Sequence, residues 1–501
     1  MPDVVYVHPA KHGVDSGYQD LGFYFFMPMG VIALANQLQR AGLSVRGVNY
    51  PAELLRDRNF KLIPWLKTQA GAQLVLIDLH WYMHAYGAIS VARACRQALP
   101  EARIVLGGIT ASLYAAEILA ACPEVDYVIR GDAEKPLQAL AAHLFPRHAD
   151  SLGVTGAGPD LAAIPNLTYR SNGQVVDNEL SYSATPGDLD ELDFVDLAFL
   201  EHADWYGRLQ FERTGLTRDN PELRGHWLCI GRGCIYDCSF CGGGRESHRI
   251  FAKRQAIVLR SIQKVADDIQ RLAGQGIDQV SLNLDPAMLG PDYWGPLFAQ
   301  LRQRGVRIGI NNEHFQLPAR EFVEDFVQTA DIARSELAFS LLSGSEKVRR
   351  LNGKYYPVPQ LFRVVELMQK HQVPLYIYFS LNLPGEDERA FHKTLRVAEQ
   401  IGRAYPPHLF KAINMVHTLD PCSPMSREPG RFGIQVKLRT FSDYYEYCRL
   451  TLDIPPGEAP WKERGFSFRG EQERSLDAIT RRWDKFCEKQ KFTCFKVPRG
   501  W

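Results

Sequence analysis

The strongest constraint on what this chain can fold into is an alternation that runs through it twice. A short apolar stretch is followed by an amphipathic helical stretch, and then by another apolar stretch. In the first series the strands read as residues 4–8, 43–50, 74–79, 103–106 and 127–129, with helices over 30–41, 88–99, 113–121 and 135–144. Glycines punctuate it: Gly42 stops the first helix, and Gly107-Gly108 closes the fourth strand. Apolar strands alternating with helices imply a parallel, doubly wound sheet. In such sheets ligands sit beyond the carboxyl ends of the strands, so the loops after each strand are where function is expected.

The second series spans roughly residues 227–419. Its strands read as 227–230, 279–284, 306–311, 337–342, 375–381 and 411–417, with helices over 261–274, 293–304, 320–329, 360–371 and 388–402. Six strand–helix units suggest a barrel or partial barrel. Between the series the composition shifts to Gly, Pro, Asp and Ser, with a turn signal at Ser171-Asn172-Gly173. The reading is therefore α/β throughout: a Rossmann-like doubly wound domain over 1–146, a linker over 147–222, a (β/α)6 partial barrel over 223–425 and a small α-rich region over 426–501.

Composition narrows the class. The formal net charge of the 501-residue chain is +1, which argues against a dedicated nucleic-acid binder, since these carry a basic footprint. No stretch near the start has the basic, apolar and small-residue order of a signal peptide. Apolar runs such as 74–79 are too short to span a bilayer. The expectation is a cytoplasmic protein that engages neither membrane nor nucleic acid.

Ten cysteines are present, and four of them, Cys229, Cys234, Cys238 and Cys241, crowd together. The other six (Cys95, Cys122, Cys422, Cys448, Cys487 and Cys494) are scattered and read as small buried hydrophobes. In a reducing compartment such crowding points to metal or redox chemistry. Cys234, Cys238 and Cys241 have the spacing Cys-x3-Cys-x2-Cys. Three thiolates on one short loop can hold three irons of a [4Fe–4S] cube and leave the fourth without a protein ligand. Phe240, just before the last cysteine, can shield it. A zinc knuckle is the competing reading. Zinc wants four ligands in paired spacings, and Cys229 is awkwardly placed for a fourth, although His248 could serve.

This cysteine loop resembles the signature of the radical S-adenosylmethionine (SAM) superfamily, and the resemblance continues downstream. Arg254 followed by a helix is similar to the segment after the cluster loop. Ser343-Gly344-Ser345, running on to Lys354, resembles the SAM-contacting segment after the fourth barrel strand. Asn382-Leu383-Pro384-Gly385-Glu386 resembles the turn after the fifth. The resemblance implies that Cys234, Cys238 and Cys241 ligate the cluster, and that Gly242, Gly243, Arg254, Ser343 and Ser345 lie at SAM. Gly242 to Gly244 and Gly344 would let backbone approach the cofactor. Members often have Glu before Ser-Gly-Ser; here Leu342 stands there, so a polar contact is expected from Glu313 or Ser340 instead.

A doubly wound domain before such a barrel resembles the cobalamin-dependent radical SAM enzymes, over roughly residues 1–425. The matching segments are Met27-Pro28-Met29-Gly30, Gly107-Gly108-Ile109-Thr110-Ala111-Ser112 and 128–134. The resemblance implies cobalamin contacts from Gly107, Gly108, Thr110, Ser112, Gly131 and Glu134. The Asp-x-His-x-x-Gly motif that supplies a lower cobalt ligand in other cobalamin proteins is absent. The nearest strings are Tyr82-Met83-His84-Ala85-Tyr86-Gly87 and Asp78-Leu79-His80. His80 and Trp81 are expected near the corrin, and His8 and His12 are read as loop residues. No Gly-x-Gly-x-x-Gly follows the first strand, so a dinucleotide is disfavoured.

The family implies a [4Fe–4S] cluster, SAM and cobalamin. It also implies a small-molecule substrate and an electron donor such as flavodoxin or ferredoxin. It suggests methyl transfer to a carbon centre. The competing outcomes are a non-methylating oxidation, cyclisation or ring contraction, and a sensor without turnover. No residue is singled out as a catalytic acid or base. Tyr444, Tyr445, Trp461 and Phe466 could close the substrate site, though ordinary core packing is the stronger reading.

Overall fold

The computed structural model describes residues 1–14, 25–154, 158–211, 222–451, 464–468 and 476–497. The chain divides into two compact units. One comprises residues 1–206, 245–258 and 438–454; the other comprises 207–244, 259–437 and 455–501.

The first unit is built on a seven-stranded sheet. Its strands are β1 (Val4–His8), β2 (Val45–Asn49), β3 (Leu74–Asp78), β4 (Arg103–Gly107), β5 (Tyr127–Ile129), β6 (Leu167–Ser171) and β7 (Gln174–Asp177), in the order β2-β1-β3-β4-β5-β6-β7. β1 to β5 run parallel, while β6 and β7 are antiparallel. The parallel strands are apolar because helices cover both faces. Val4, Val5, Val7, Leu74, Val75, Ile104 and Leu106 are all 0% exposed. The segment read as a linker thus extends this sheet by a hairpin, whose turn uses Asn172 (φ 49°) and Gly173 (φ 78°). The order reverses between β1 and β3, which opens a crevice at their carboxyl ends. A helix from the C-terminal part of the chain, Phe441–Thr451, packs on Ala85–Ala98 in this unit, with Tyr444 fully buried.

The second unit carries β8 (Gly225–Leu228) and the short β9 (Gly231–Arg232), with β10 (Val258–Leu259) following at the boundary between the units. Its main sheet continues with β11 (Gln279–Leu282), β12 (Gly309–His314), β13 (Glu336–Leu342), β14 (Leu375–Ser380) and β15 (Phe410–Met415). A small ribbon of β16 (Ile434–Val436) and β17 (Phe466–Phe468) follows, and then β18 (Thr493–Phe495). The main sheet is all parallel, in the order β18-β15-β14-β13-β12-β11-β8. The expected six barrel strands are therefore joined by a seventh from the tail. Helices start where side chains cap them: Ser261 accepts from Lys264 N–H, and Asp387 from Ala390 N–H. Their apolar stripes, such as Val265, Ala266, Ile269 and Leu272, bury against the sheet. Trp294, Phe298, Phe322 and Phe326 form an aromatic layer outside the strands.

Two sequence expectations change here. The third barrel strand lies at Gly309–His314 rather than 306–311, because its residues face a polar interior and break the apolar pattern. Cys487 and Cys494 are not separate hydrophobes but a disulfide, which joins the helix Leu476–Cys487 to β18. They sit seven residues apart, and the turn between helix and strand brings their Cα atoms to 4.9 Å. Cys95, Cys122 and Cys448 do behave as buried thiols, and burial pushes them up to about 12, 11 and 12. No helix among the described residues is long and apolar enough to cross a membrane.

Candidate functional site

In the second unit the cysteine loop follows β8 at its carboxyl end. Cys238 is 9% exposed, and Cys234 and Cys241 are half-buried. Backbone N–H groups already point at sulfur: Tyr236 N–H donates to Cys234 Sγ at 3.4 Å, and Gly243 N–H to Cys241 Sγ at 3.3 Å. Burial pushes the Cys234 and Cys241 thiols upward, so ionising these sulfurs calls for a compensating cation. N–H donors to two of the three loop sulfurs fit an iron–sulfur cube. Gly353 (φ 92°) packs its Cα side against Cys238, where a Cβ would come within 3.2 Å of the sulfur.

The glycines of the loop serve more than one purpose. Gly242 donates its N–H to Asp420 Oδ2 at 3.0 Å, and a Cβ there would meet Pro421 O at 2.5 Å. Gly344 is required by the helix Glu388–Ala404: a Cβ would meet the Lys393 backbone at 2.4 Å. The expectation that Gly344 makes room for cofactor is thus replaced by close helix packing. Ser343 is fully buried, 3.3 Å from Thr394 Oγ1, and accepts from Ser345 N–H at 3.1 Å. Leu342 holds a left-handed backbone (φ 66°) at a register shift in β13, a strained arrangement for a buried leucine.

The strand registers put Asn311, Glu313, Ser340, Tyr376, Tyr378, Lys411 and Ile413 on one face of the second sheet, the face toward the barrel interior. Contacts bear this out. Asn311 donates to Ser281 Oγ at 3.1 Å, and Ser340 donates to Glu313. Lys411 pairs with Glu336 at 2.8 Å and sits over the Tyr376 ring. The Glu313 carboxylate is reachable by water yet walled in by protein, and burial raises its pKa against the pull of Lys354. Phe240 stacks on His417 at 4.5 Å, whose Nε2 lies 2.8 Å from Ser380 Oγ. Burial pulls His417 down to about 4 and pushes Asp420 up to about 6. His417, Asp420 and the interior tyrosines were missed in the sequence. Only their position at the carboxyl ends of strands could have signalled the first two.

In the first unit the loops after β3, β4 and β5 converge. Gly108 (φ 108°) lies against His80, where a Cβ would meet the His80 Cα at 2.7 Å. Thr110 Oγ1 donates to His80 O at 3.0 Å. Ser112 Oγ donates to Gly108 O at 2.7 Å and accepts from Gly131 N–H at 2.8 Å. Thr110 and Ser112 therefore knit the three loops together. Gly107, Gly108, Gly131, His80 and Trp81 keep some exposure, whereas Glu134 is buried in the first turn of its helix. His80 and Trp81 meet edge-on at 4.8 Å. His8 is not a loop residue: it ends β1, fully buried, with Nδ1 2.9 Å from Asp78 Oδ1.

Arg254, expected at SAM, is committed within the first unit. Its Nη2 donates to Asp132 Oδ1 at 2.6 Å, and both side chains are nearly buried. Gly131 (φ 65°) meanwhile packs on Ala252, in the helix Arg245–Ala252 that follows the cysteine loop. The tail aromatics resolve as packing: Tyr444 stacks near Tyr82 and Tyr114, Tyr445 contacts Tyr86, and Phe466 is 2% exposed. Trp461 lies outside the described residues.

Residues 23–141 match the B12 binding domain and residues 228–398 the Radical SAM superfamily. The hopanoid C-3 methylase of Methylococcus capsulatus is 24% identical over 281 residues, covering 56% of this chain and 46% of the relative. The chain spans about half the length of the curated relatives it matches. Its fold is similar to the radical SAM methyltransferase TsrM of Kitasatospora setae, solved with cobalamin and a [4Fe–4S] cluster. That match has a TM-score of 0.60 at 16% identity and covers 89% of this chain and 84% of that one. It is also similar to the cobalamin-dependent SAM radical enzyme OxsB, with a TM-score of 0.55 at 14% identity and coverage of 80% and 52%. The chain thus joins a segment of the B12 binding domain family in one unit to a segment of the Radical SAM superfamily whose three-cysteine loop lies in the other.

Proposed function

We propose that the reaction is transfer of a methyl group to a carbon centre of a small molecule. The observation that carries this is the three-sulfur loop, with N–H groups aimed at two of its sulfurs, in a chain that also carries a B12-binding domain. A methylase and a methyltransferase among the similar proteins favour methylation over other radical outcomes. When bound, the cluster and SAM supply one-electron chemistry that yields a carbon radical, and cobalamin supplies a transferable methyl group.

The chain's own residues bind and orient. Cys234, Cys238 and Cys241 would hold the cluster beside the SAM site. Gly243 N–H and Tyr236 N–H stabilise negative charge on the sulfurs, and Asp420 fixes the loop through Gly242. Phe240 and His417 wall the loop from water. Glu313 and Ser340 present a hydrogen-bonding pair in the barrel interior for the polar end of SAM or substrate. Ser343 and Ser345 support that segment from beneath. Gly107, Gly108, Thr110, Ser112, Gly131, Glu134, His80 and Trp81 frame the cobalamin pocket, with Arg254 anchoring Asp132 beside it. Electrons would come from a flavodoxin or ferredoxin in a reducing cytoplasm.

The test is anaerobic turnover with both cofactors loaded, SAM and a strong reductant. S-adenosylhomocysteine and 5′-deoxyadenosine are expected, with a substrate mass gain of one CH₂. Formation of neither nucleoside would overturn the enzymatic reading. 5′-Deoxyadenosine with no CH₂ gain would replace methylation with another radical outcome. Cys238→Ala should abolish the cluster's visible absorbance.

A further inference from the structure

We propose that His8, Asp78 and His84 form a binding site for a single divalent transition-metal ion, separate from the iron–sulfur loop. His8 ends β1 and Asp78 ends β3, the two neighbours at which the first sheet reverses its strand order. His84 ends the turn Tyr82–His84 that follows β3. The fold thus delivers three donors from three places to the crevice where open α/β sheets take ligands.

Geometry supports convergence. One ligand atom from each residue lies within 4.8 Å of the others, and the residues are only 0%, 5% and 0% exposed. The His8 and His84 rings meet edge-on at 5.2 Å, and Trp81 walls His84 on another side. Asp78 Oδ1 takes the Tyr6 hydroxyl at 2.5 Å and lies 2.9 Å from His8 Nδ1. Its second oxygen, Oδ2, is buried and accepts no hydrogen bond among the described residues. An ion pair of His8 with Asp78 alone would explain Oδ1 but leave Oδ2 unserved, at a cost that buried polar atoms ordinarily avoid. Two imidazoles and one carboxylate are the donor set of zinc and iron(II), with room for a fourth ligand. The Tyr6 hydroxyl would then orient the carboxylate from outside the coordination sphere. None of these three residues belongs to the cysteine loop or is among those assigned to cobalamin above, although His84 follows Trp81 in the turn after β3.

The test uses the full-length chain with Cys234, Cys238 and Cys241 replaced by Ala, so that no cluster contributes metal or colour. Its probes are Zn²⁺ and Co²⁺ alone. One equivalent of Zn²⁺ should survive dialysis against a weak chelator and raise the melting temperature. Co²⁺ in its place should give visible d–d bands without a sulfur-to-cobalt charge-transfer band. His84→Gln and Asp78→Asn should each weaken binding at least tenfold while leaving the circular dichroism unchanged. Should either variant misfold, the cobalt spectrum of the parent decides the ligand type. No stoichiometric metal, a charge-transfer band that places it on cysteine, or undiminished binding in both variants would overturn the proposal.

Discussion

At the scale of single residues, conformation and burial give sharp expectations. Gly108 combines a φ of 108° with a backbone approach that leaves no room for a Cβ. Gly108→Ala should therefore cost about 1–3 kcal/mol from backbone strain alone, with further loss from the contact at His80. Denaturant unfolding would read the total, and a loss below 0.5 kcal/mol would contradict the assignment. Lys11 offers a pH test. It is 8% exposed, and burial pulls it down to about 8, against a smaller upward pull from Cys448. Between about pH 8 and 10.5 the unfolded chain holds this proton and the folded chain does not, so stability rises with pH across that window. Lys11→Met should stabilise the protein at pH 7 by on the order of 2 kcal/mol and flatten the rise. A variant that keeps the wild-type pH slope would refute the buried-lysine account.

Among the elements, the helix Arg245–Ala252 is the most telling. It directly follows the cysteine loop in sequence, yet it belongs to the first unit, where Arg254 just beyond it pairs with Asp132. Asp132 also accepts from Ala184 N–H at 2.8 Å, so the pair holds the loop after β5 from two sides. Removing one partner leaves an uncompensated buried charge, and Arg254→Met should cost about 3–5 kcal/mol. Arg254→Met with Asp132→Asn should recover part of that loss, and a double variant no more stable than the single would argue against direct pairing. β18 teaches a second point. Its three residues come from the tail, but they complete a parallel sheet because Cys487 and Trp483 on the adjoining helix hold it in place.

For the whole molecule, the two candidate cofactor sites reside in different compact units, each with its own hydrophobic core. Their loading should be separable. Cys238→Ala should remove iron and sulfide yet retain cobalamin binding, seen as an unchanged cobalt content after gel filtration. Gly108→Ala should do the reverse, keeping the cluster's absorbance while cobalamin retention falls at least tenfold. Loss of both cofactors in both variants would mean that one site cannot form without the other.

What was legible in the sequence is what is local. Apolar runs and helical periodicity depend on near neighbours, and they located β1, β3, β4, β5 and the barrel helices. Cys234, Cys238 and Cys241 lie on one short loop, so their spacing was legible without tertiary structure, while the iron–sulfur reading of that spacing came from the family resemblance. The glycine loops were legible as loops, but the purposes of Gly344 and Arg254 were not, because each answers to a partner far along the chain. β12 was misplaced because a strand facing a polar interior carries Asn311, Asn312 and Glu313, which no hydrophobic pattern marks. The convergence of His8, Asp78 and His84 was decided only by the order in which the strands associate. Sequence sets which side chains each segment offers; long-range packing sets which of them meet, since the contacts that bring them together are paid for by burial elsewhere in the sheet.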